Sequence, residues 1–203
     1  EILSSIQECG LDDDTLVIFT SDNGPWLIFG DHGGSATPFR GGKKQTLEGG
    51  VRVPFIARWP GRITAGATSD SLIAVMDLLP TIVGLCDAPI PTRKIDGIDF
   101  KSILLGEMES NEVRKSYLYY YRDRLQAVRC GDWKLQLAAS DEQAPNPAAI
   151  GQGGVRGEVM SIERPLALFN LKEDSAELND LSLEYPEQVV RLQEIAEQAR
   201  LEL

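Results

Sequence analysis

The chain is 203 residues long, is 42% hydrophobic and carries a formal net charge of −11. That length and apolar content suit one or two globular domains, and no apolar run approaches the ~20 residues of a membrane span. An excess of 31 acidic over 20 basic residues argues against nucleic acid as a partner, since a basic stripe is the electrostatic requirement for binding it.

In chain order, residues 1–9 read as a short helix and residues 15–20 as a buried strand in the interior of an α/β layer. Residues 22–50 form a long glycine-rich loop, which a compact domain rarely keeps unless it serves a site. Residues 51–58 read as a second strand, closed by Trp59-Pro60-Gly61. Residues 70–86 are predicted helical, with Asp77 as a cap and Pro80 tolerated in a first turn. The Pro- and Gly-punctuated stretch 88–106 marks the boundary between a first domain, 1–106, and a second, 107–203.

The second domain reads as antiparallel. Short β runs occupy 116–121, 125–130 and 133–138, the last two joined by Gly131-Asp132 as a tight hairpin turn. Residues 140–164 are polar and rich in Gly, Ala and Pro, and are predicted to be a long mobile loop. A further strand is expected at 166–171. Residues 186–203 form an amphipathic helix, with Val189, Leu192, Ala196, Ala199 and Leu203 at helical spacing to pack on the small sheet.

The chemistry concentrates in the loop. Ser21-Asp22-Asn23-Gly24 sets a carboxylate and a carboxamide on a turn at the end of a strand, a half-site for a hard cation. Arg40-Gly41-Gly42-Lys43 places a lysine on a glycine-flanked backbone that can approach an anion, and Glu48-Gly49-Gly50-Val51-Arg52-Val53-Pro54 follows. Each tripeptide alone is most often just a turn. Their order and spacing carry the weight. A cation and an ammonium aimed at the same oxygens are the expected stabilisers for cleavage of an oxyanion ester.

Residues 15–61 resemble the second signature region of the arylsulfatase (type I, formylglycine-dependent sulfatase) family: an apolar strand, Asp-Asn-Gly, a glycine-rich loop, Arg-x-Gly-Lys, Glu-Gly-Gly-x-Arg-x-Pro, then Trp-Pro-Gly. The likeness continues through 71–84 and 166–181, where Leu168-Phe169-Asn170-Leu171-Lys172-Glu173-Asp174 resembles the family's late strand and turn. It implies the C-terminal part of an alkaline-phosphatase-like α/β domain, followed by a small antiparallel-sheet subdomain with a C-terminal helix. It also implies that Asp22 and Asn23 ligate a divalent cation, usually calcium, with magnesium the alternative. Lys43 would bind the sulfate ester and stabilise negative charge during transfer; Lys44 is the competing candidate for that role.

His32 is the one histidine. It reads as a solvated loop residue or as a contact to the sugar or aryl part of the substrate. Trp26 and Phe29 are loop anchors or an aromatic wall. Glu48 and Arg52 are assigned structural roles that support Lys43, and Asp12-Asp13-Asp14 a solvated turn. Cys9, Cys86 and Cys130 are odd in number and lack metal-ligand spacing, which speaks against a disulfide scaffold.

The family's nucleophile is a formylglycine made from Cys or Ser within Cys/Ser-x-Pro-x-Arg. That motif does not occur here, so the expectation is the C-terminal portion of a longer sulfatase, inactive on its own. The alternatives are a phosphate- or phosphonate-ester hydrolase of the same superfamily, and an inert fragment or binding module. Lack of Asn-x-Ser/Thr tilts the expected location toward a bacterial secreted or periplasmic one over a lysosomal one.

Overall fold

The computed structural model describes residues 1–108 and 113–201, without the side chains of residues 140–142. Among the described residues the chain divides into two compact units. One comprises Glu1–Ser21 with Pro54–Lys115, the other Asp22–Val53 with Ser116–Leu203.

The first unit begins with helix α1 (Ile2–Glu8) and strand β1 (Val17–Thr20). β1 pairs antiparallel with a later strand, Phe55–Arg58, in the register Val17↔Arg58 to Thr20↔Phe55. The expected interior position for this first strand does not hold within this chain. Its sheet has two strands, and the facing residues Phe19 and Ile56 are 64% and 61% exposed. Nothing among the described residues covers that apolar face. The Asp12 carboxylate is not merely solvated: it receives two 2.7 Å hydrogen bonds from the Arg58 guanidinium, which hold its pKa below the ordinary value.

The predicted helix over 70–86 starts later than expected. A 3-10 turn, Val75–Asp77, leads into an α-helix, Leu78–Leu85, whose first turn accommodates Pro80. Asp77 stands at the N-cap position of that helix but its side chain makes no capping bond to it. Its buried carboxylate accepts from the backbone N–H groups of Ala74 at 2.7 Å and Ile98 at 2.9 Å, and pairs with Arg114.

In the second unit, helix α2 (Glu48–Val51) replaces the start of the expected strand at 51–58. Numbered in chain order, Phe55–Arg58 is β2, Leu78–Leu85 is α3 and Lys101–Leu104 is α4. The main sheet of the second unit joins β3 (Ser116–Tyr121), β4 (Arg124–Cys130), β5 (Trp133–Gln136) and a strand at Ala167–Asn170 in that order, all antiparallel. Cys130 faces Trp133 across the two-residue turn Gly131-Asp132, where Gly131 takes φ 60°. The three cysteines are free thiols.

Helix α5 (Pro186–Leu201) lies on one face of this sheet. Leu192 and Ala196 pack with Val128, Leu135, Leu137 and Leu168 in a buried cluster, flanked by Val189 and Ile195. Leu203 lies outside the described residues.

The stretch 140–164 is not one long loop. Its two ends form a two-stranded ribbon of β6 (Ala139–Pro145) and β7 (Val159–Arg164), joined by an irregular connection with a 3-10 turn at Pro147–Ala149, and the Ala167–Asn170 strand is β8. Backbone pairing holds such a ribbon without requiring a continuous apolar stripe, so its polar composition hid it.

Candidate functional site

The loop 22–53 is a knot of backbone hydrogen bonds. Gly24 N–H donates to Gly50 O at 2.9 Å, Lys43 N–H to Pro25 O at 2.8 Å, and Gly49 N–H to Arg40 O at 2.8 Å. Gly42 N–H reaches the buried Gln45 Oε1 at 3.0 Å. These bonds bring the Asp22-Asn23 turn beside the lysine segment. They also explain the glycines: a Cβ on Gly24 would sit 1.8 Å from Gly49 O, and one on Gly50 2.0 Å from Gln45 O.

Lys43 is half-buried, whereas Lys44 is exposed and takes φ 75°. Both ammonium groups lie over the Trp26 ring, at 5.1 Å and 5.7 Å from its centroid, within cation–π range. Trp26 in turn meets Phe29 edge-on at 5.1 Å. The 3-10 segment Leu27–His32 is tied to the connection between β6 and β7, since Ile28 O accepts from Gly151 N–H at 3.1 Å and Gly157 N–H at 2.8 Å. Beside it Trp26, Lys43 and Lys44 line a hollow with Gln143, Pro145 and Val159 whose volume is only about 10 Å³, room for about one water molecule.

Asp22 is exposed and Asn23 half-buried. As hard oxygen donors they suit calcium, but they are two where that ion takes roughly 6–8 oxygens. Among the described residues no group of three His, Cys, Asp or Glu side chains is placed to hold a metal. His32 stands at the end of the 3-10 segment with its side chain 57% exposed, 3.7 Å from Asp31. Arg52 stacks on Phe39 at 4.6 Å.

Sequence reasoning assigned Glu48 a supporting role but missed its partners beneath the loop, Lys134 and Glu177. Glu48, Lys134 and Glu177 are buried polar groups within 1% exposure. Glu48 Oε1 accepts from Lys134 Nζ at 3.0 Å and from the Tyr119 hydroxyl at 2.9 Å. Burial pushes the Glu48 carboxyl up, but the charge and hydrogen bond of Lys134, the charge of Arg129 and the Tyr119 bond together hold it below its ordinary value. Nearby, burial and the charge of Arg40 pull Arg164 down to about 10, with Glu177 acting the other way. The signal available was Trp133-Lys134-Leu135-Gln136, whose polar alternate positions read as a solvated face.

Two family models match. The sulfatase model matches residues 1–88, and the model for the C-terminal region of aryl-sulfatase matches 112–203. Human arylsulfatase A is 37% identical over 185 residues, 87% of this chain and 35% of that protein. Human steryl-sulfatase is 35% identical, covering 90% of this chain and 34% of that protein. Dog N-acetylgalactosamine-6-sulfatase is 44% identical over 140 residues, 68% of this chain and 26% of that protein. The chain thus spans about a third or less of the length of these relatives.

Among solved structures, the PsFucS1 sulfatase from Pseudoalteromonas sp. superposes with TM-score 0.79 at 28% identity, over 98% of this chain and 39% of that one. By that likeness the small antiparallel sheets and the C-terminal helix belong to the alkaline-phosphatase-like α/β fold. Taken with the Asp-Asn-Gly turn and the Gly-Gly-Lys loop that the fold ties together, these matches establish that the chain belongs to the arylsulfatase-type sulfatase family.

Proposed function

We propose that these residues serve a sulfuric ester hydrolase, to which they contribute the sulfate-binding lysine and part of a divalent-cation site. The observation that carries the reading is the bond from Lys43 N–H to Pro25 O. It fixes the lysine's backbone two residues from the Asp22-Asn23 turn in the folded chain, on a loop where a Cβ at Gly24, Gly42, Gly49 or Gly50 would run into backbone oxygens. A preorganised ammonium costs no reorganisation when charge develops on the sulfuryl oxygens. Half-burial strengthens that interaction relative to water. Lys43 rather than Lys44 takes the role, because Lys44 is exposed.

Asp22 and Asn23 are assigned to calcium, with magnesium the alternative. Such an ion supplies Lewis-acid polarisation of the ester when bound. The reading requires a formylglycine nucleophile from sequence outside these 203 residues, since Cys/Ser-x-Pro-x-Arg is absent. His32, exposed near the loop, is assigned to the part of the substrate beyond the sulfate. The organising division is 1–106 for the α/β catalytic domain and 107–203 for the subdomain. The proposed location is secreted or periplasmic; among the described residues no helix is long and apolar enough to cross a membrane.

The test compares Lys43→Ala and Lys44→Ala in the full-length sulfatase with its nucleophile matured, using an aryl sulfate. Lys43→Ala should lower kcat by about 10²–10³-fold, the loss seen on deleting an oxyanion-hole donor. Lys44→Ala should cost far less, with thermal midpoints matching. A reversed pattern places the motif one residue later. Equal, small effects refute the sulfate-binding role.

A further inference from the structure

The lysine loop is held from below by a buried charge network that no motif announces. Lys134, on strand β5, has its side chain 1% exposed and points into the underside of residues 46–48. Its ammonium donates to Thr46 O at 2.8 Å and to Glu48 Oε1 at 3.0 Å, and lies 2.9 Å from Glu177 Oε1 as an ion pair outside hydrogen-bond geometry. Glu177 uses its other oxygen to accept from Glu48 N–H at 2.7 Å. Its own backbone takes φ 57°, a left-handed conformation uncommon for non-glycine residues. Tyr119 closes the set, with its hydroxyl on Glu48 and its ring 4.1 Å from the Lys134 ammonium.

A buried ion pair between sheet and loop is a poor source of net stability, because desolvation offsets most of the attraction. What it supplies is geometry. One ammonium donates to two loop oxygens, Thr46 O and Glu48 Oε1, and its charge faces the glutamate that anchors the loop, so the loop has one seat on the sheet. Glu48 starts the helical turn whose glycines close the knot, Gly49 N–H on Arg40 O and Gly50 O on Gly24 N–H. Displacing Glu48 therefore displaces both ends of the segment that carries Lys43.

We infer that Lys134, clamped between Glu48 and Glu177, is a positioning residue that sets the height and orientation of the Lys43 loop. The link to turnover rests on the sulfate-binding role proposed for Lys43; the positioning itself does not. Amide hydrogen exchange on the 203-residue chain separates the two. Glu177→Gln keeps the side-chain shape and an acceptor for Glu48 N–H while removing the charge that faces Lys134. It should accelerate exchange at Gly24, Lys43, Gly49 and Gly50 at least tenfold, leaving the β4–β5 amides and α5 unchanged. Tyr119→Phe, a milder change, should give a smaller acceleration at the same amides.

In the full-length enzyme both variants should lower kcat for an aryl sulfate more than they raise KM. Unchanged loop amides, or uniform acceleration across loop and sheet, overturn the proposal. If the loop loosens as expected but Lys43→Ala leaves turnover intact, the positioning stands and the sulfate-binding role fails.

Discussion

Replacing Lys134 by Met keeps the apolar stem and removes the charge between two carboxylates. Glu48 and Glu177 have side chains 2% and 0% exposed, so neither can recover hydration without moving the loop. Removing one partner of a buried pair costs about 3–5 kcal/mol, a large part of the roughly 5–15 kcal/mol that keeps a domain folded. With a urea slope of about 2 kcal/mol/M, the unfolding midpoint should fall by about 1.5–2.5 M. The loss should also depend on pH. In the native chain the Glu48 carboxyl is held below its ordinary value of 4.5. Its contribution is thus complete above that value and is lost as pH falls through the lower folded one. Without Lys134, burial dominates and the folded value rises, so the variant gains on the native chain as pH drops. Urea unfolding followed by far-UV circular dichroism at pH 7 and pH 5 should show the deficit narrowing at pH 5. A deficit of the same size at both, or one below about 1 kcal/mol as for exposed pairs, refutes the electrostatic account.

Leu192→Ala should cost about 2–5 kcal/mol by opening a cavity in the cluster with Val128 and Leu168, all 0% exposed; urea titration measures it. Gly49→Ala should abolish turnover in the full-length enzyme while sparing the sheet's dichroism, because the new Cβ would lie 2.5 Å from the carbonyl oxygens of Arg40 and Gly41. Calcium titrated calorimetrically into the 203-residue chain should bind weakly or not at all, since two side-chain donors fall far short of the roughly six to eight oxygens the ion takes; tight stoichiometric binding would show a fuller site than Asp22 and Asn23 provide.

The parts legible in sequence were those governed by local rules. Gly131-Asp132 specified a hairpin because a two-residue turn needs positive φ, and the Val189-Leu192-Ala196 stripe specified the buried side of α5. The roles proposed for Lys43 and the Asp22-Asn23 turn rest on motif order, and the two segments are joined by the backbone bonds Lys43 N–H to Pro25 O and Gly24 N–H to Gly50 O. The supporting network was illegible for a physical reason. Along β5, alternation assigns Trp133 and Leu135 to one face and Lys134 and Gln136 to the other, and the polar face of a small sheet normally meets water. Here Lys134 and Gln136 are buried, and the residues over Lys134 come from 86 positions earlier. The register also skips Gln126 where β3 and β4 slip between Tyr119 and Tyr120, which turns Gln126 toward Thr46, 80 positions away. No window of local sequence contains both partners.

The same long spans bear on how the chain is made. Glu48 N–H finds its acceptor 129 residues later, so during synthesis the loop emerges well before its seat exists. Every proposed chemical residue, Asp22, Asn23, His32 and Lys43, is translated in the first quarter of the chain, before the glutamate on which Glu48 is seated. A premature stop between Lys43 and Glu177 would spare all four and still leave the loop without its acceptor for Glu48 N–H.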